Sequence, residues 1–325
     1  MRQEAYPMRR RSLLLAAAAA ACASPAWSEG SKPLRLVVPF PPGGGVDAAA
    51  RLLANRLPAG LKGRSVVVDN RPGAGGNIAA MAVAQSAADG DTLLITSNNH
   101  TINLSLYAKP GYALEDFVPI AQFGSSGFAL VAHPSTNFKT LGGMLVAAKA
   151  KPNAISFGTG GNGHPAHLAM ELLKSRAKIS IQHIPYKGSG PLTSDVVGGQ
   201  LPVGVISVLA AQPFVASGQL VALAVTSKQR WPGLPSVPTV EESGFPGYDY
   251  SAWIGVLGGS GLPQADVATL ERQILAIGST EEARSSMYKQ GMLLALKGSA
   301  DFKEAIAHDA VVNRDLIRNI GLKPD

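Results

Sequence analysis

Cysteine and aromatic residues are scarce in this chain: 325 residues contain one cysteine, Cys22, and only 6% Phe, Trp and Tyr. Cys22 falls in an N-terminal stretch that reads as an export signal over residues 1–28. Arg9, Arg10 and Arg11 form a positive head, and the apolar stretch Leu13 to Ala21 is too short to span a bilayer. Ala26-Trp27-Ser28 then offers the small-x-small pattern that a signal peptidase recognises. Arg10-Arg11-Ser12-Leu13-Leu14 fits a twin-arginine core, and an ordinary export signal with one extra arginine fits the same residues. A competing lipobox, Ala19-Ala20-Ala21-Cys22, has Ala19 where leucine is usual. With cleavage after Ser28 the exported chain has no thiol, which excludes a Cys nucleophile, a Cys-ligated metal and a disulfide scaffold. The expected location is the periplasm.

Long apolar runs are also missing after the leader, so no membrane span is expected. Basic residues are scattered and do not alternate with aromatics, and Trp27, Trp231 and Trp253 form no stacking array, so no nucleic-acid partner is expected. The formal charge is +7, of which residues 1–28 hold four arginines against one acid, leaving +4 downstream. A mildly positive field suits an anionic ligand.

The chain after the leader alternates short β-branched runs with Ala/Leu-rich helical stretches, which predicts an α/β fold. Strands are expected at Leu34 to Pro39, Ser65 to Asp69 and Thr92 to Ser97, with helices at Asp47 to Leu57 and Ile78 to Ala87. Short connections make this a right-handed, parallel β-α-β-α-β unit. A second such unit begins with a strand at Phe128 to Ala132, then a helix at Thr140 to Ala150 and a strand at Ile155 to Phe157. Helices at Ala166 to Ser175 and Leu192 to Gly198, and strands at Ile179 to Ile184, Val203 to Val208 and Ala222 to Thr226, extend it. An apolar run at Ser251 to Leu257 and helices at Gln264 to Ile277 and Ala300 to Ile317 close the chain.

Four strand ends lead into loops suited to holding an anion: Phe40 to Gly45, Arg71 to Asn77, Ser97 to His100 and Gly158 to His164. Glycine lets backbone approach a ligand, and a helix N-terminus supplies unpaired N–H groups and a positive dipole end. Asp47 reads either as a first-turn acid or as a ligand contact. Gly158, Gly160 and Gly163 match G-x-G-x-x-G, but the next strand ends in Gln182-His183-Ile184-Pro185 without the acid that a dinucleotide ribose needs. There is no G-x-S-x-G, H-E-x-x-H or P-loop motif. His164 and His167 sit three apart at a helix start without an acidic or thiol neighbour in sequence, so they read as helix-start residues rather than a metal face. No metal, cofactor or catalytic residue is expected, and an exported α/β enzyme is the rejected rival.

Several stretches together resemble the substrate-binding receptors of tripartite tricarboxylate transporters, the Bug receptors. They are Arg35-Leu36-Val37-Val38-Pro39-Phe40-Pro41-Pro42-Gly43-Gly44 with Asp47 and Arg51, Val68 to Gly76, His183-Ile184-Pro185-Tyr186-Lys187-Gly188, Gly198-Gly199-Gln200, Val225 to Ser227 with Arg230, and Leu234 to Gly244. The resemblance implies a type II periplasmic-binding-protein fold of two lobes, each a mostly parallel sheet flanked by helices, joined by crossover strands. Residues 29–128 and 250–325 would form the first lobe and 129–249 the second, with crossings near Phe128 to Ala132 and Tyr250 to Gly255. It implies capture of a small carboxylate (organic, dicarboxylic, amino or aromatic acid) by lobe closure in a monomer that serves the transporter's membrane subunits, or alternatively a sensor protein. It implies that the carboxylate is held by the loops Phe40 to Asp47 and Gly158 to His164, here Phe40, Pro41, Gly43, Gly44, Asp47, Thr159, Gly160, Gly161, Asn162, Gly163 and His164. The polar cluster after the third strand adds Ser97 and Asn98 as expected contacts. Specificity would come from Phe40, Ser97, Asn98 and His164. Two departures stand out: Gly45 extends the usual glycine pair, and His164 replaces a small hydroxyl residue.

Overall fold

The computed structural model describes residues 32–322 except residue 88, and the expected export segment lies outside them. Strands β1 (Leu34–Val38), β2 (Val66–Asn70) and β3 (Thr92–Ser97) alternate with helices α1 (Gly45–Gly60) and α2 (Asn77–Ala84). β1 pairs in parallel with both β2 and β3. Helices cover both faces of this sheet, so Leu36, Val37 and Val38 are all buried and the strand shows no alternation. α1 turns Leu53 and Leu57 inward, each fully buried and worth about 1.5–3 kcal/mol.

Helix α3 (Asn99–Leu106) and strand β4 (Phe117–Ser126) follow, and β5 (Phe128–Ala132) opens the second sheet. That sheet is completed by β6 (Ser156–Thr159), β7 (Gln182–Pro185), β8 (Val203–Ser207) and β9 (Val221–Val225), interleaved with α4 (Leu141–Ala150), α5 (Pro165–Ala177), α6 (Ser189–Val197) and α7 (Val208–Ala216). The chain then returns through β10 (Ala252–Gly259), α8 (Gln264–Gly278), α9 (Glu281–Lys289), β11 (Leu293–Lys297) and α10 (Ser299–Asn319). The strand orders are β11-β4-β10-β3-β1-β2 and β7-β6-β8-β5-β9.

The fold is α/β and two-lobed, but the sheets are mixed rather than mostly parallel. β10 runs antiparallel to both β3 and β4, and β5 antiparallel to both β8 and β9. The cause is the double crossing. The chain enters the second sheet at β5 and re-enters the first at β10, and each of these strands runs against its neighbours.

The passages between the sheets lie at the ends of β5 and β10, beside the positions expected. All of β5 lies in the second sheet and all of β10 in the first, so the chain passes at Gly127 and again between Thr226 and Ala252. The two passages are tied together. Phe128 N–H donates to Thr226 Oγ1 (2.9 Å), Thr226 N–H to the Phe128 carbonyl (2.9 Å), and Tyr250 N–H to the Thr226 carbonyl (2.9 Å). A Cβ on Gly127 would lie 2.5 Å from Ser227 Oγ, which is why glycine stands there. Nor does α10 keep to the first lobe: Phe302 and Ile306 pack beneath the first sheet, while Leu316 and Ile317 enter the core under the second.

Candidate ligand-binding cleft

A cleft of about 460 Å³ opens at the carboxyl ends of β1 and β3, where the two sheets face each other. Of the residues expected to touch ligand, it is lined by Phe40, Ser97, Asn98, Gly160, Gly161, Asn162, Gly163 and His164. Pro41, Gly43, Gly44, Asp47 and Thr159 do not line it.

Asp47 has another task. Its carboxylate accepts from Gly43 N–H (2.9 Å), Arg51 Nε (2.9 Å) and Asn70 Nδ2 (2.9 Å). Asn70 Nδ2 also donates to the Phe40 carbonyl (3.0 Å). Burial alone would raise the Asp47 pKa, but these hydrogen bonds and the Arg51 charge outweigh it and hold the pKa below its ordinary value. Asp47 therefore braces the loop that presents Phe40, and the N-cap of α1 is Gly44. Gly43 takes a left-handed φ of +95°, and a Cβ on Gly45 would meet the Met292 side chain at 2.9 Å, so the extra glycine makes room for the α9–β11 turn.

Thr159 likewise works from behind its loop. It is fully buried, donates to the Gly161 carbonyl (3.1 Å) and meets His183 Nε2 at 2.7 Å. Gly163 N–H donates to His167 Nδ1 (3.3 Å), and His167 stacks on His183 with ring centroids 3.7 Å apart. Against the expectation that these histidines lack an acidic neighbour, Glu171 stands one helical turn after His167, its carboxylate 3.5 Å from His167 Nε2, and also pairs with Lys174 (2.6 Å). His167 thus faces a support network, not a shared metal site with His164.

His164 caps α5, its Nδ1 accepting from Ala166 N–H (3.1 Å), which leaves the proton on Nε2. Burial, assisted by His167, pushes its pKa down to about 4, so the ring is neutral near pH 7. Its ring meets Phe128 edge-on at 5.9 Å. Asn98 is 1% exposed, and among the described residues neither Nδ2 nor Oδ1 has a hydrogen-bond partner.

Gly75 and Asn99 also line it, from loops that the sequence marked as suited to an anion but without being expected as ligand contacts, while Asn103, Leu106, Tyr107, Phe128, Pro165 and Ala252 were missed. Asn99, Asn103 and Leu106 share one face of α3, spaced i, i+4 and i+7, with Tyr107 at its C-cap, a signal hidden because the segment was not read as a helix. Leu106 also touches the opposite lobe, since a Cβ on Gly163 would lie 2.9 Å from its Cδ2.

The family model described as the tripartite tricarboxylate transporter family receptor matches residues 49–322. Protein BugT of Bordetella pertussis is 38% identical over 247 residues, 75% of this chain and 76% of that protein. Among solved structures, a TctC solute-binding protein from Polaromonas superposes with TM-score 0.78 at 28% identity, covering 90% of this chain and all of that one. The R. palustris protein Rpa4515, solved with adipate, gives 0.72 at 30% identity, covering 92% and 100%. A family model spanning most of the chain, on a two-lobed fold shared with these structures, settles the affiliation: this protein belongs to the tripartite tricarboxylate transporter receptor family.

Proposed function

We propose that this protein is a periplasmic receptor that captures a small carboxylate between its lobes, without altering it, and delivers it to the membrane subunits of a tripartite tricarboxylate transporter. One observation carries the reading: the cleft joins neutral hydrogen-bond donors of both lobes and has no acidic residue among its described lining residues. Ser97 and Asn99 line it from the first lobe, and the Gly160–His164 loop from the second. An anion held by both bridges them and favours the closed form by the difference in its affinity for the two forms. The adipate bound to Rpa4515 supports a carboxylate ligand, and residues 1–28 support export.

The test is calorimetry and thermal unfolding of the exported chain with a panel of small organic acids, adipate included. A ligand at a hundred times its Kd adds about 2.7 kcal/mol of stability, a clear rise in Tm. X-ray scattering should show compaction with the same ligand. No heat and no Tm shift across the panel would sink the reading.

A further inference from the structure

Behind the cleft wall, one hydroxyl stands between two acceptors. Thr101 lies in the first turn of α3, and its Oγ1 is placed to donate to the Asn98 carbonyl (2.8 Å) and to the Asp309 carboxylate of α10. A hydroxyl carries a single proton, so it serves one of the two at a time. The groups around this pair are held in place. Asn313 Nδ2 donates to Thr101 Oγ1 (3.2 Å), Tyr250 Oη to Asn313 Oδ1 (2.6 Å), and Trp253 Nε1 to Asp309 Oδ2 (3.0 Å).

The protonation of Asp309 decides which acceptor wins. An ionised carboxylate only accepts, and as a charged acceptor it outcompetes a carbonyl for the hydroxyl proton. A protonated carboxyl has an O–H of its own. With the proton on Oδ2, Asp309 donates to Thr101 Oγ1, and the Thr101 proton turns to the Asn98 carbonyl. Oγ1 then gives one hydrogen bond and accepts two, from Asp309 and Asn313, which fills its capacity.

A proton can reach this carboxyl. Asp309 lines a cavity of about 710 Å³ that shares no lining residue with the ligand cleft. Burial raises the Asp309 pKa above its ordinary 3.8, against the lowering effect of the bonds from Thr101, Trp253 and Asn313. Around it stand His308, Glu304 and Asp301 of α10, Lys228 and Asp249 from the return passage, and Lys297 of β11. Tyr250 keeps its proton, its pKa driven up by burial. From α3 comes the Thr101 hydroxyl, while the neighbouring His100 stacks on Tyr112 with ring centroids 4.7 Å apart.

We propose that Thr101 and Asp309 form a proton switch behind the cleft: proton uptake by Asp309 turns the Thr101 hydroxyl from the carboxylate to the Asn98 carbonyl and ties the first turn of α3 more firmly to Asn98. Asn99 and Asn103 of α3 line the cleft, so the switch acts on the wall that meets ligand, a consequence that rests on the capture reading above.

Two probes follow the switch without any ligand. Trp231→Phe leaves Trp253 as the sole tryptophan of the exported chain, with its Nε1 on the titrating carboxylate. Asn98-Asn99 is the one Asn-Asn step in the sequence, so labelling asparagine with carbon-13 and nitrogen-15 isolates the Asn98 carbonyl resonance. As pH falls from neutral, Trp253 emission should change in a step centred above 3.8, and the Asn98 carbonyl resonance should move downfield with the same midpoint. Asp309→Asn should abolish both changes. Thr101→Val should keep the emission step and lose the carbonyl shift, and Thr101→Ser should retain both. An Asn98 resonance that stays still through the emission step, or moves equally in Thr101→Val, overturns the switch, as does the absence of an Asp309-dependent step. The two wild-type Asn98 and Trp253 curves decide even where a variant folds poorly. Because neither probe needs ligand, failure of the switch leaves carboxylate capture intact, and failure of capture leaves the switch standing.

Discussion

Replacing Asp47 with alanine separates a loop brace from a ligand contact. The Arg51 partner is 54% exposed, so that ion pair is worth only about 0.3–0.5 kcal/mol. The bonds from Gly43 N–H and Asn70 Nδ2 end on a buried carboxylate, where each is worth about 1.5–3 kcal/mol. Gly43 is exposed and regains water in the variant, which offsets part of its loss. The net expectation is a loss of about 2–4 kcal/mol, or a Tm lower by about 4–8 °C at roughly 2 °C per kcal/mol for a chain of this size. The assay is thermal unfolding without ligand, followed by circular dichroism at several pH values. Because the folded pKa is lowered, the Asp47 contribution is present above the ordinary Asp value of 3.8 and is lost as pH falls through the folded pKa. The gap between wild type and Asp47→Ala should therefore hold steady from pH 8 to 5 and shrink in stronger acid. An unchanged Tm combined with lost ligand affinity would refute the brace and return Asp47 to the ligand.

His164 and His183 have pKa values pushed down to about 4, chiefly by burial, so the unfolded chain binds more protons below its ordinary value of 6.5. Stability should fall as pH drops from 6.5 to 4, and His164→Asn should flatten that slope; an unchanged slope would contradict a buried neutral ring. Gly127→Ala drives a Cβ into Ser227 and should cost about 1–3 kcal/mol, with Gly127→Ala/Ser227→Gly recovering most of the Tm. Tyr288→Leu removes the stack between Tyr288 of the first lobe and Trp231 of the second, which lie 4.8 Å apart and 6° from parallel. A loss of about 0.5–1.5 kcal/mol and altered tryptophan emission are expected, and an unchanged spectrum would show that the rings do not stack in solution.

The three opening strands could be read because each is a compact β-branched run bounded by glycine or a turn, and the parallel pairing of β1 with its neighbours matches that pattern. β4 escaped because Phe117–Ser126 places Pro119, Gln122 and two serines in a strand buried along most of its length, which breaks every simple period. α7 was hidden by its position directly after β8 and by an internal proline, Pro213. Here Ser207 ends the strand and caps the helix, its hydroxyl accepting from Ala210 N–H (3.2 Å). The mixed sheets could not be foreseen from strand composition, since reversal depends on which strands carry the chain between lobes.

The candidate site shows a more specific limit. Glycine loops marked the cleft, yet the polar residues beside them were not uniformly free to serve a ligand. A loop of irregular backbone leaves its own N–H and C=O groups to be satisfied, and the nearest polar side chains take that role. Asp47 holds Gly43, Asn70 holds the Phe40 carbonyl, Thr159 holds the Gly161 carbonyl, and His167 holds Gly163 N–H. Residue type cannot distinguish these braces from readers, because both need the same donors and acceptors. The difference lies in what remains unpaired after the loops are held. The cleft wall also draws Ser97, Asn98 and Asn99 from the strand end that has no glycine, so glycine marks only part of the site.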